Sequence, residues 1–142
     1  MRRIMVATDG SEGAIRAIDV AASIVKDLGG ELRILTVGGN LSGEGMRQLA
    51  RAERDLGAAL DSISSQILIQ AKERARRIGV EATKVEVAWG DEAEALIETA
   101  RRDQVDAIVV GRRGRGQLAG LLLGSVSQKV ASLAPCIVIV VP

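Results

Sequence analysis

Residues 109–130 of this 142-residue chain read VVGRRGRGQLAGLLLGSVSQKV. Gly111, Gly114, Gly116, Gly120 and Gly124 are interspersed there with Arg112, Arg113 and Arg115, between a run that reads as a buried strand and one that reads as a helix. Such a segment can bind an anion. A glycine that closes a buried strand lets a ligand approach the backbone, and Gly114 can take positive φ and turn its amide inward. Gly124 and Ser125 open the last helical pattern, so their N–H groups fall among the donors that a helix start leaves unpaired, where the helix dipole adds positive potential. The Ser125 hydroxyl and a guanidinium fork from Arg113 or Arg115 suit phosphate oxygens. The segment is not a Walker A loop, because no Gly-Lys-Ser/Thr ending places a lysine on the phosphates. It is not a dinucleotide fingerprint either: GRGQLAG is one residue too long and follows the fourth strand rather than the first. On the residues alone, a solvated loop followed by an ordinary serine cap remains the alternative.

The elements that would position this loop alternate. RIMVAT (3–8), ELRILTV (31–37), TKVEVA (83–88), DAIVVG (106–111) and CIVIVV (136–141) read as strands. The first, fourth and fifth are nearly continuous apolar runs, the pattern of strands covered on both faces; the second and third alternate more, which suits positions nearer an edge. Helical periodicity covers 11–28, with Ser11 as N-cap and Gly29-Gly30 as terminator; 46–78, weakened at Gly57 and closed by Gly79; 92–102, where Asp91 and Glu94 resemble a capping box; and 124–133, ending before Pro135. GGNLSGEG, 38–45, reads as the one flexible loop. The order β-α-β-α-β-α-β-α-β predicts an α/β domain with a parallel sheet and right-handed crossovers. In such sheets ligands bind beyond the carboxyl ends of the strands, where the strand order reverses. Thr8, Asp9, Gly10 and Ser11 follow the first strand, Val37 ends the second, and Trp89, Gly90 and Asp91 follow the third.

Composition narrows the chemistry. Hydrophobic residues make up 47% of the chain, enough for a real core, and the net charge of +1 provides no global field for a polyanion. Phe and Tyr are absent and Trp89 is the only Trp, which argues against a stacking platform for single-stranded nucleic acid. The chain has no His, and so lacks the commonest general base and metal ligand. No acidic pair with the spacing of a Mg2+ site follows the phosphate-type loop, so no catalytic or metal-binding residues are assigned. The lone Cys136 lies in an apolar run and reads as an inert thiol. MRRIMVATDGSEG turns polar too early for a signal peptide, and the uncharged C-terminal run is too short to cross a bilayer, so a cytoplasmic protein with no membrane or nucleic-acid partner is expected.

Gly111-x-x-Gly114-x9-Gly124-Ser125 resembles the ATP-binding signature G-x-x-G-x9-G-(S/T) of the universal stress protein family. IMVATDGS, GDEAEALIETA, DAIVVGRRG and LLLGSVSQKVASLAPCIVIVV resemble further family segments in the same order, so the likeness covers essentially the whole chain. The resemblance implies one Rossmann-like nucleotide-binding domain over 1–142, with five parallel strands in the order 3-2-1-4-5 and helices on both faces. It implies that Asp9 meets adenine and ribose, that the backbone of Val37 reads the adenine edge, and that Val110 and Gly111 flank the ribose. Gly114, Gly124, Ser125 and Val126 would form the phosphate cradle, with Arg113 beside it and Ala7 and Thr8 lining the site. Ala7 stands where many members carry Pro, and Arg112 and Arg113 where many carry small or polar residues. The implied cofactor is ATP, with which a Mg2+ ion carried on the phosphates is compatible. The implied role is a stress-response module that couples nucleotide occupancy to interaction, with little or no hydrolysis. A slow ATPase or adenylyl-transferring enzyme, and a nucleotide-free interaction protein, are the alternatives. The implied strand order puts CIVIVV on the sheet edge, where an uncharged strand invites a homodimer through residues 136–141.

Overall fold

The computed structural model describes residues 2–38, 56–112 and 123–142. The elements run β1 (Arg3–Ala7), α1 (Glu12–Leu28), β2 (Glu31–Gly38), α2 (Leu56–Ile78), β3 (Thr83–Trp89), α3 (Glu92–Arg102), β4 (Ala107–Gly111), α4 (Ser125–Leu133) and β5 (Ile137–Val141). The five strands form one parallel sheet in the order β3-β2-β1-β4-β5. Alternation along each strand sends side chains to two apolar layers. Ile4, Val6, Leu32, Ile34 and Val109 pack with Ala17, Ile18 and Ala21 of α1 and Leu68, Ala71 and Ala75 of α2. Met5, Leu35, Ile108 and Val110 pack with Ala93, Leu96 and Ala100 of α3 and Val130 of α4. Helices therefore cover both faces.

The expected helix boundaries follow local chemistry. Ser11 caps α1 by accepting the Ala14 N–H, and Gly29, at φ 72°, ends it. Gly79, at φ 119°, follows the last turn of α2. The part of the expected 46–78 helix before Leu56 lies outside the described residues, as does the expected loop from residue 39 onward. Gly38, read in sequence as the first residue of that loop, is instead the last residue of β2, paired with Trp89.

The strand positions follow the order that the family resemblance implied. β2 is an inner strand between β3 and β1; its alternation reflects Arg33, held in ion pairs rather than exposed at an edge. β5, a continuous apolar run, is the edge strand expected, with Ile137 exposed and Val138 to Val140 half-buried. Hydropathy reports how apolar the faces are, not whether a neighbour strand is present.

An ion cluster ties α3 to β2 and β3. Arg33 meets Asp103 at 2.6 Å and Glu31 at 2.7 Å, while Arg102 bonds both Asp103 and Glu86. The Arg102 hydrogen bond, with Arg33 adding its charge, holds the Asp103 carboxyl down at about 2. An ordinary Asp titrates near 3.9, so the folded-state value is the lower one. The stabilisation is therefore complete above about pH 4 and is lost as the pH falls toward 2. Asp103→Asn should lower stability at neutral pH and flatten the acid decline between those values. Urea midpoints measured across that range check this; an unchanged acid slope would mean the carboxylate contributes nothing.

Candidate functional site at the strand carboxyl ends

The strand order reverses between β1 and β4, and two helices begin there on opposite faces of the sheet. α1 starts just beyond β1. Asp9 Oδ1 accepts the Ser11 N–H at 2.9 Å, Thr8 Oγ1 accepts the Gly10 N–H at 3.2 Å, and Ser11 Oγ accepts the Ala14 N–H at 3.3 Å. Gly10 sits at φ 81°, in the left-handed region this turn requires. The Asp9 carboxylate thus helps build the turn that starts α1.

α4 starts just beyond β4 and is anchored differently. The Arg112 carbonyl accepts the Gly124 N–H at 2.8 Å and the Ser127 hydroxyl at 2.7 Å, and the Arg112 N–H donates to Val141 O at 2.7 Å. The Gly124 amide, expected from sequence to be a free donor, is therefore already used. Gly124 is the N-cap and supplies no side-chain bond, whereas Ser11 and Asp91 cap α1 and α3 with their side chains. The donors at the start of α4 with no partner among the described residues are the N–H groups of Ser125, Val126 and Ser127. Arg112 Nε is buried without a hydrogen-bond partner among the described residues. Ser127 escaped the sequence reading. A serine in the first helical turn, able to return its hydroxyl to a nearby carbonyl, was the available signal.

Gly111 has a different reason than the one expected. A Cβ there would lie 2.9 Å from the carbonyl carbon of Gly13 and 3.0 Å from its oxygen. The missing side chain thus admits the first turn of α1. Val110 is buried in the layer under α3 and α4, Val126 packs against the same layer, and Thr8 is buried; Ala7 and Gly124 are half-buried and Ser125 is exposed. Arg113 and Gly114 lie outside the described residues.

The second wall is an overhang of the sheet. Ala7 of β1 pairs with Leu35, and the Thr8 N–H reaches Leu35 O at 2.9 Å. β2 then runs on through Thr36, Val37 and Gly38, paired only with Val87, Ala88 and Trp89 of β3. At about 3.3 Å per residue this projection reaches roughly 10 Å past β1. Backbone groups alternate sides along a strand, so Val37, two residues beyond Leu35, turns its N–H and carbonyl toward the β1 side. Among the described residues neither group has a partner there. The Val37 side chain is buried, so its backbone groups are what it offers on the β1 side.

A cavity of about 330 Å³ between α1 and α2, lined by Thr8, Gly10, Ile15, Ile18, Ile67 and Ala71 among others, begins beside the first-strand turn. No group of three or more His, Cys, Asp and Glu able to hold a metal occurs among the described residues. None of the described helices is long and apolar enough to cross a membrane. Cys136 is half-buried, and burial pushes its thiol up, in keeping with an unreactive group.

A model of the universal stress protein family matches residues 1–142. The chain belongs to the universal stress protein family. It is 33% identical over 148 residues to universal stress protein YxiE of Bacillus subtilis, covering 98% of this chain and 97% of that protein. It is 30% identical to a universal stress protein solved in complex with cAMP, with a TM-score of 0.75 over 99% of this chain and 97% of that one. A universal stress protein from Archaeoglobus fulgidus, solved in complex with dAMP, shares the fold at 20% identity, with a TM-score of 0.70 over 100% of this chain and 98% of that one. The strand order 3-2-1-4-5 expected from the family resemblance is the order observed.

Proposed function

We propose that this universal stress protein is a cytoplasmic adenine-nucleotide-binding module, one domain over 1–142, that holds ATP in the cleft between the β2 overhang and the start of α4. In this reading the Val37 N–H and carbonyl take the adenine edge. Asp9 faces the ribose, Val110 and Gly111 underlie it, and Ala7 and Thr8 form the floor. The phosphates lie against Ser125 and Val126, with Gly114 and Arg113 completing the cradle. The observation that carries the reading is the start of α4: it lacks a side-chain cap, leaves three amides without partners among the described residues and lies beside the sheet's switch point. A helix start of that kind favours an anion through both its donors and its dipole. The 30%-identical relative solved with cAMP supports an adenine nucleotide as the ligand class.

The module would couple occupancy to interaction during stress, with little or no turnover and with Mg2+ entering only on the phosphates. Two copies would pair through β5. The proposal is tested by calorimetric titration of the purified protein with ATP, cAMP and GTP, and by following ADP release. Adenine presents an acceptor beside a donor, and guanine presents the reverse, so a fixed N–H and carbonyl pair should favour ATP over GTP by about tenfold or more. Equal affinity for the two would remove Val37 as the reader, and sustained ADP production would make the protein an ATPase.

A further inference from the structure

The nucleotide reading assigns no role to the only aromatic residue in the chain. Trp89 ends β3 and is 51% exposed, the most exposed tip of the overhang. A solvent-facing indole has no place in the apolar layers, and the fold does not need it there: the layer under α1 and α2 takes Val87 of β3 instead. The ring is nevertheless seated in a defined position. A Cβ on Gly38 would lie 2.5 Å from Trp89 Cζ3, 2.7 Å from Cε3 and 2.8 Å from Cη2. The six-membered ring therefore lies across the bare backbone of Gly38. That backbone continues directly from Val37, whose N–H and carbonyl point into the cleft. By strand alternation, Gly38 and Trp89 face the α1 and α2 side, the side holding the cavity that begins at Thr8 and Gly10.

Resting on the proposed nucleotide site, we infer that Trp89, seated on Gly38, is an aromatic end wall of the base subsite. A planar base hydrogen-bonded edge-on to Val37 lies beside Gly38, within reach of the indole. An aromatic face there adds affinity for any flat ring without choosing among bases, because every base has a π-face. Selectivity then comes from the Val37 peptide and strength from the indole. The Gly38–Trp89 pair also predicts how the wall fails. Any side chain at position 38 must move the ring or the strand, since the nearest atoms of the ring fall inside contact distance.

The experiment uses the intact protein and two probes, ATP and inorganic tripolyphosphate, each measured by calorimetry, with the emission of Trp89 followed during the ATP titration. In wild type, ATP should quench or shift the emission along the calorimetric binding curve. Trp89→Ala should weaken ATP about tenfold and leave tripolyphosphate unchanged, and Trp89→Phe should recover most of the loss. Gly38→Ala keeps the indole but displaces it, and should weaken ATP while altering the emission of the free protein. The end wall is overturned if wild type binds ATP with no change in emission and Trp89→Ala binds it equally well. It is also overturned if ATP and tripolyphosphate weaken together, which would place the residue's effect in the fold. A wild type that binds no adenine nucleotide overturns the site itself, and the wall with it.

Discussion

Gly124→Val is expected to abolish nucleotide binding while leaving the fold intact. Gly124 sits at φ −74° and ψ 168°, an extended conformation open to any residue, so the backbone tolerates valine. Its N–H bond to Arg112 O and the start of α4 can persist. What changes is the space in front of the Ser125 and Val126 amides, which a branched side chain would occupy. Each hydrogen bond to a charged oxygen is worth about 1.5–3 kcal/mol, so losing two weakens binding on the order of a hundredfold or more. Ser125→Ala removes one hydroxyl and leaves the amides, and should cost only about 1 kcal/mol. Calorimetry gives the affinities, and a circular dichroism melt checks the fold. Wild-type binding by a folded Gly124→Val protein would move the phosphates away from α4.

The second large effect concerns assembly. The outer edge at β3 bears Lys84 and Glu86, both charged, whereas β5 presents Ile137 to Val141 with no charge at all. Charge is a usual means of keeping an edge from pairing, and β5 lacks it. Two such edges related by a two-fold axis would pair antiparallel. A lysine at Val138 or Val140 would also disturb the layer they pack against. Ile137, at 55% exposure, is the cleaner site. Wild type should scatter light as a dimer at tens of micromolar, and Ile137→Lys should scatter as a monomer with an unchanged melt. A monomeric wild type would dispose of the β5 interface, and a mutant that stays dimeric would move it to another surface.

The fold was legible wherever a local rule fixed it. Strand–helix alternation, Ser11, Asp91 and the Gly29 and Gly79 terminators all act within a few residues of chain, and they place the elements correctly. Hydropathy alone did not separate inner β2 from edge β5, because edge position is a relation between strands distant in sequence; the family resemblance supplied that order. At the candidate site, residue types did not reveal the division of labour. Gly111 looked like room for a ligand and is room for Gly13; Gly124 looked like a free donor and is spent on Arg112. Both facts depend on contacts about a hundred or about ten residues away along the chain, which periodicity cannot register. The overhang of β2 past β1, which frees the Val37 peptide, follows from register, and register is set by packing of whole strands.

Arg112 has a further consequence. Its N–H holds the last residue of β5, and its carbonyl holds both the amide of Gly124, the N-cap of α4, and the Ser127 hydroxyl. Two peptide planes, one fastened to the rim of the sheet and one to the mouth of a helix, are thus hinged on a single α-carbon with two torsions. A rotation of either plane is either absorbed by those two torsions or passed to the other across one residue. If filling the cleft turns that hinge and the turn reaches the rim, thermodynamic reciprocity requires that whatever docks on the rim alter the cleft by the same free energy.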